Sequence, residues 1–353
     1  MTNLEQIIKE IKPLSSTYLE KAQQKLDSLT KPRGSLGKLE AIARRYAAIK
    51  ENIHPGIKGK RIFTFAGDHG VTEEGVSAFP KSVTVQMVFN MLAGGAAINV
   101  LARHVGAEVL VVDVGVDFDF EPADGLIIRK IGHGTRNFVK GPAMSRDDAV
   151  KALSVGIVLA EECAQNSIDI IGTGEMGIGN TTPSSAILAV LTGISPQDIT
   201  GRGTGVDDKQ LFNKIEVIQR AIAVNCPDPL DPIDVLAKIG GYEIGAIAGL
   251  IIGGAYCRIP VVVDGFISTA GAMIATAMNP SISEYIFYSH LSAERGHKRM
   301  LEHLKQEPIL SLDMRLGEGT GGAIAMSIIE GAVKIMNEMA TFEAASVDRE
   351  TKP

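Results

Sequence analysis

Residues 170–191 read IIGTGEMGIGNTTPSSAILAVL. The stretch opens on β-branched residues, passes through glycines, and closes on an apolar run behind Thr182-Pro183. A buried strand entering a glycine loop that hands over to a helix has this form. Thr182 offers an N-cap oxygen, and Pro183 the fixed φ of a first helical residue. Loop amides and a helix N-terminus together make an anion site, suited to a phosphate. Gly172, Gly174 and Gly177 also spell G-x-G-x-x-G. A dinucleotide fingerprint, however, needs the helix to open directly from the loop and an acid about 20 residues on. Here the loop continues through GIGNTT, and Asp198 follows Gly193 and Pro196 in loop-like sequence.

Further runs of the same kind are RIFTFAGDHG (61–70), EVLVVDVGV (108–116), GLIIRKIGHG (125–134), SIDIIGTGE (167–175), PVVVDGF (260–266) and EYIFYSH (284–290). Most are continuously apolar, as strands covered on both faces are. Helix-like stretches such as VTVQMVFNMLAGGAAINVLARHV lie between them, so the fold class is α/β: a mostly parallel, Rossmann-like sheet flanked by helices. Residues 1–53 hold no strand candidate and read as helices broken at SLTKPRGSLG; 292–311 and 323–342 also read as helical. The expected division is a small helical subdomain from 1–55 together with 292–353, and a large α/β domain over 56–291 that carries the substrate pocket. The apolar run from Ile244 to Cys257 is shorter than the roughly 20 residues of a membrane span, and Asp264 follows it; it reads as a buried helix leading into a strand.

The 353 residues are 45% hydrophobic and 22% charged, with a net charge of -6 and no tryptophan. No basic stripe or stacking platform is present, which argues against a nucleic-acid partner. Cys163, Cys226 and Cys257 lack metal or disulfide spacing and read as free thiols in a reducing compartment. No signal-peptide pattern opens the chain, so the expected location is cytoplasmic, with no membrane association.

Ligands of an open parallel sheet bind beyond the carboxyl ends of its strands. Asp68, His69, Asp113, Glu175 and Asp264 stand at such ends, and Asp113 reads first as a structural, loop-capping acid. Two more glycine loops follow, GRGTG (201–205) and LDMRLGEGTGGAIA (312–325). The first precedes a helix carrying Lys209 and Lys214, whose ordinary reading is a solvated face. The second sets Glu318 between glycines, three residues after Arg315. Together the loops suit a pocket with an anion cradle and a general base. No Walker lysine motif appears, and His69, His290 and His297 match no standard metal spacing, so neither a metal nor a cofactor is expected.

Seven stretches in order resemble the nicotinate-nucleotide–dimethylbenzimidazole phosphoribosyltransferase family: KPRGSLGKLE (31–40), AGDHGVTEEGVSAFP (66–80), GTGEMGIGNTT (172–182), GRGTG (201–205), PVVVDGFISTAGA (260–272), SHLSAERGH (289–297) and LDMRLGEGTGGA (312–323). The resemblance implies transfer of ribose 5-phosphate from nicotinate mononucleotide to 5,6-dimethylbenzimidazole, giving α-ribazole 5′-phosphate and nicotinate, by a homodimer. It matches Glu318 to the family's catalytic glutamate and Glu175 to a second pocket glutamate. It also implies that Gly177, Gly179, Asn180, Thr181, Gly203, Lys214, Asp264, Ser292 and Arg315 surround the mononucleotide. Phe79, Pro80, Gln86 and Met176 are the expected contacts of the benzimidazole. Two other readings stand beside this one: an NAD(P)-dependent oxidoreductase, resting on the single glycine fingerprint, and a non-catalytic mononucleotide sensor.

Overall fold

A computed structural model describes residues 4–203 and 205–348. Six strands form one parallel sheet: β1 (Lys60–Gly67), β2 (Glu108–Gly115), β3 (Leu126–Ile128), β4 (Ile170–Met176), β5 (Val261–Val263) and β6 (Ile286–Tyr288). Their order is β3-β2-β1-β4-β5-β6, so the winding reverses between β1 and β4. Each of the six sequence runs supplies one strand. The central strands are buried on both faces, which is why their apolar residues are continuous rather than alternating.

The helices before β4 are α1 (Leu4–Glu10), α2 (Ser16–Ser28), α3 (Lys38–Ile49), α4 (Ser82–Leu92), α5 (Ala97–Val105) and α6 (Arg146–Gln165). Those after it are α7 (Thr181–Thr192), α8 (Pro196–Ile199), α9 (Asp208–Asn225), α10 (Pro232–Ile239), α11 (Tyr242–Tyr256), α12 (Phe266–Met278), α13 (His297–Leu304) and α14 (Thr320–Glu338). Local chemistry sets several starts. Asp207 and Gln210 form a reciprocal capping box at α9, the Gln210 N–H donating to Asp207 Oδ1 at 2.7 Å. Asp231 caps α10, whose first residue is Pro232.

The apolar run 244–257 is the buried helix α11, with β5 following. Its glycines have a packing reason. A Cβ on Gly249 would stand 1.9 Å from the Leu153 carbonyl of α6, so only bare backbone lets these helices approach so closely. The segment 82–105 is apolar and long enough to cross a membrane by composition alone, but it is two helices, broken at Gly94 with φ +76°.

Two local expectations need correction. Of residues 292–311 only His297–Leu304 is helical. Lys305 turns left-handed at φ +53°, and Leu310–Ser311 then pairs parallel with His290–Leu291. The glycine fingerprint is not a loop either. Gly172 and Gly174 lie inside β4, where a Cβ on Gly174 would meet the Glu318 carbonyl at 2.2 Å. Gly174 serves the packing of Glu318 on the sheet and Gly172 that of Met326 from α14, and the loop begins only at Gly177.

Candidate active site

A cleft of about 590 Å³ opens at the carboxyl edge of the sheet. Its floor comes from the ends of β4 (Glu175, Met176) and β5 (Asp264), and one wall from the segment Arg315–Glu318. The sequence expectation that the strand ends and glycine loops converge is met by Glu175, Met176, Gly177, Asn180, Thr181, Gly203, Asp264, Ser292, Arg315, Glu318 and Phe79, all of which line it. Four others do not. Pro80 and Gln86 are exposed and stand outside the lining. Gly179 turns the loop at φ +90°, its Cβ position facing Thr72. Lys214 stands behind the wall.

Glu318 is held in a strained, informative way. It has φ +64°, between Gly317 at +87° and Gly319 at +100°. Left-handed backbone costs a non-glycine residue about 1 kcal/mol, and the surroundings impose it here. Its carbonyl accepts from Thr64 Oγ1 at 2.9 Å, and its N–H donates to Glu175 Oε1 at 3.4 Å. The carboxylate accepts from the Ile98 N–H at 3.3 Å, in the first turn of α5. Burial raises its pKa above the usual carboxylate value, and the Ile98 amide opposes this.

Asp264, not Glu318, secures the start of α14. Its two oxygens accept from the N–H groups of Gly319 (3.1 Å) and Gly322 (3.0 Å). Its side chain therefore fixes the backbone that presents Glu318. Close packing requires the glycines here: a Cβ on Gly317 would lie 2.0 Å from Glu175 Oε1, and one on Gly321 2.0 Å from His290 Nδ1. Glu175 also accepts from Asn180 Nδ2. Burial drives the Glu175 carboxyl up to about 8 and that of Asp264 up to about 7, the amides around each working the other way. Burial thus holds both acids above the ordinary carboxylate range, and a cation in the cleft would favour their ionised forms.

Beside these acids the cleft also has groups suited to an anion. Lys214 is 1% exposed, and its Nζ donates to Thr181 Oγ1 at 2.6 Å. Burial pulls the ammonium down to about 8, partly offset by Glu294. Arg315 Nη1 donates to the Gly203 carbonyl at 3.3 Å, bringing a second cation to the same loop. Helix α7 points its N-terminus into this region. It begins at Thr181, two residues before the Pro183 start that a Thr182 cap would give, and the Asn180 side chain at its N-cap position is committed to Glu175. The Thr182 hydroxyl is left buried without a partner.

The sequence reading missed Val83, Met87, Phe266, Ser268, His290 and Glu294, all of which line the cleft. Val83 and Met87 lie one turn apart on α4, a spacing visible in the sequence. Ser268 and Glu294 carry no such signal. Asp113 is structural, accepting from Gly115 and Val116 and pairing with Lys130 at 2.8 Å. His69 is fully buried against Glu243 at 2.8 Å.

A mononucleotide-sized cleft that holds buried carboxyls and is lined by Arg315, with Lys214 behind Thr181, suits a phosphoribosyltransferase. The chain belongs to that family, whose sequence model matches residues 11–347. It is 61% identical over 98% of its length, and 99% of the relative's, to the nicotinate-nucleotide–dimethylbenzimidazole phosphoribosyltransferase of Geotalea uraniireducens (strain Rf4). It is 58% identical, with the same coverages, to the protein of that name from Geobacter sulfurreducens. Two crystal structures from Thermus thermophilus are similar. One, of the enzyme so named, superposes with a TM-score of 0.90 at 40% identity, over 96% of this chain and 100% of that one. The other, of CobT, gives 0.91 at 42%, over 95% and 100%.

Proposed function

We propose that the protein moves ribose 5-phosphate from nicotinate mononucleotide to 5,6-dimethylbenzimidazole, releasing nicotinate and α-ribazole 5′-phosphate for assembly of the cobalamin lower ligand. The names of its relatives support the substrates, and the cleft supports the chemistry. The leaving pyridinium already carries its positive charge on nitrogen, so the C1′–N bond can break with its electron pair going to the ring and no acid needed. A benzimidazole nitrogen attacks C1′ from the opposite face and inverts β to α. C1′ gains oxocarbenium character as glycosyl transfer proceeds. The other benzimidazole nitrogen then releases its proton to Glu318, a general base within about 3 Å.

The observation that carries this reading is the Glu318 carboxylate, imposed on left-handed backbone by its neighbours and facing the cleft. Glu175 stabilises positive charge near C1′, and Asp264 positions Glu318 through the start of α14. Lys214, Arg315, Thr181, Asn180, Ser292 and the 177–179 and 203 glycines hold phosphate and ribose; Lys214 acts from behind Thr181. Phe79 and Met176, with Val83 and Met87 in place of Pro80 and Gln86, face the acceptor. Product analysis after incubation with both substrates tests the proposal: α-riboside and free nicotinate are expected, and a β-riboside or no riboside would overturn it.

The oxidoreductase reading loses its footing with the glycine fingerprint inside β4. A homodimer would cover the exposed rings of Phe89 and Phe118, which pack edge to face with centroids 5.8 Å apart. Light scattering at micromolar concentration tests it. Three free cysteines suit a cytoplasmic location. For the division into 1–55 with 292–353 and 56–291, the packing of α2 and α14 on α3 gives support, while α14 also lies against β4 and ties the units together.

A further inference from the structure

A second cleft, of about 360 Å³, opens at the free edge of the sheet beside β6. Its walls are largely apolar, with Leu14, Leu19, Ile42, Phe287 and Ile309 among them. Two polar groups stand in that wall, a guanidinium bonded only to neutral oxygens and a hydroxyl with no partner. Arg45 lies over the Phe287 ring, 4.3 Å from its centroid, and donates to the Ile286 carbonyl and, at 3.5 Å, to Gln306 Oε1. The acid nearest in charge effect, Glu284, is engaged with the Leu14 N–H at 2.7 Å. Burial pulls the guanidinium down to about 10. The Tyr288 hydroxyl is buried and has no hydrogen-bond partner at all.

A buried hydroxyl without a partner favours any acceptor that can reach it. Here both groups are donors, they lie close enough to influence each other electrostatically, and they border one cavity. A carboxylate would accept from both. The lining also carries Lys38 and Arg44, against Glu307, paired with Lys38 at 2.8 Å, and Glu284, which accepts from the Leu14 N–H, so cations outnumber acids by one. We propose that this cleft is a second ligand site, for a small monocarboxylate with an apolar body, its carboxylate gripped by Arg45 and Tyr288. Nicotinate, the leaving group of the transfer, belongs to that class. The cleft is also wired to the first one. Ile309 and Leu310 donate to the Tyr288 and Ser289 carbonyls, each at 2.9 Å, and the chain then runs on to Arg315 and Glu318.

The site stands on its own geometry and is tested apart from the transfer reaction. The full-length protein, its active cleft filled with α-ribazole 5′-phosphate, is titrated calorimetrically with benzoate, benzamide and acetate. One benzoate per chain is expected, with benzamide (no charge) and acetate (no apolar body) each at least about tenfold weaker. Tyr288→Phe keeps shape and turnover but weakens benzoate about fivefold or more. Arg45→Met weakens it further. Absence of benzoate binding once the first cleft is filled, equal binding of benzamide, or unchanged benzoate affinity in the folded Tyr288→Phe protein would each overturn the site.

Discussion

Replacing Glu175 with glutamine should change how stability depends on pH. The carboxyl is raised by burial from 4.5 to about 8 in the folded chain. The folded state therefore binds a proton that the unfolded state has lost, and the group's stabilising contribution is full below 4.5 and disappears as pH rises through about 8. Each tenfold in proton affinity is about 1.4 kcal/mol, so the ceiling on that loss is about 5 kcal/mol. Water entering an open cleft relaxes part of the penalty, and about 2 kcal/mol is the expected loss. Glutamine has no such proton. It does introduce a fixed cost of about 1–3 kcal/mol, because its amide cannot accept from both Asn180 and the Glu318 N–H as the carboxylate does. That cost is the same at every pH, so the slope is the readout. Asp264 titrates in the same window in both proteins. Without Glu175 its negative neighbour is gone, which flattens the variant further. Urea unfolding of the ligand-free proteins at pH 5 and pH 8 measures the effect. The wild type should lose about 2 kcal/mol more than Glu175→Gln between these values. Parallel profiles would refute the reasoning.

Lys214→Met removes a buried ammonium whose hydrogen bond is to Thr181. The KM for the mononucleotide should rise about tenfold or more, with little effect on the acceptor, and urea unfolding should show unchanged or higher stability. Gly317→Ala puts a Cβ 2.0 Å from Glu175 Oε1 at φ +87° and should cut kcat by at least about a hundredfold. Gly331→Ala, in open space on α14, should be neutral or stabilise by about 0.5–1 kcal/mol, and serves as the paired control. Phe79→Ala should raise the acceptor KM several-fold in steady-state assays and leave the mononucleotide KM in place.

Strands were legible because burial on both faces removes polar alternation, most plainly in the all-valine β5 and in the 62–66 run of β1. The glycine loop at 317–319 was legible for a related reason: a lone acid among glycines has few structural explanations. The glycines at 172 and 174 misled because bare backbone serves a strand packed under another segment as well as it serves a phosphate. Thr182 misled because its hydroxyl lies buried within the first turn of α7, which a cap signal in the sequence does not reveal. Lys214 looked like one member of a polar helix face, and only packing against Thr181 and Gly203 shows it buried. Ser268, His290 and Glu294 join the cleft from elements distant in sequence; they lie in the stretches 260–272 and 289–297 that carry the resemblance, but no spacing singles them out.

Glu318→Gln tests the central claim most directly, because it preserves shape and removes the proton acceptor. With both substrates saturating, turnover should fall about 10²–10⁴-fold while the mononucleotide KM stays near the wild-type value. The wild-type rate should rise with pH along a limb above the ordinary carboxylate range, since burial raises this group, and the variant should lack that limb. A variant that turns over near the wild-type rate would contradict the account.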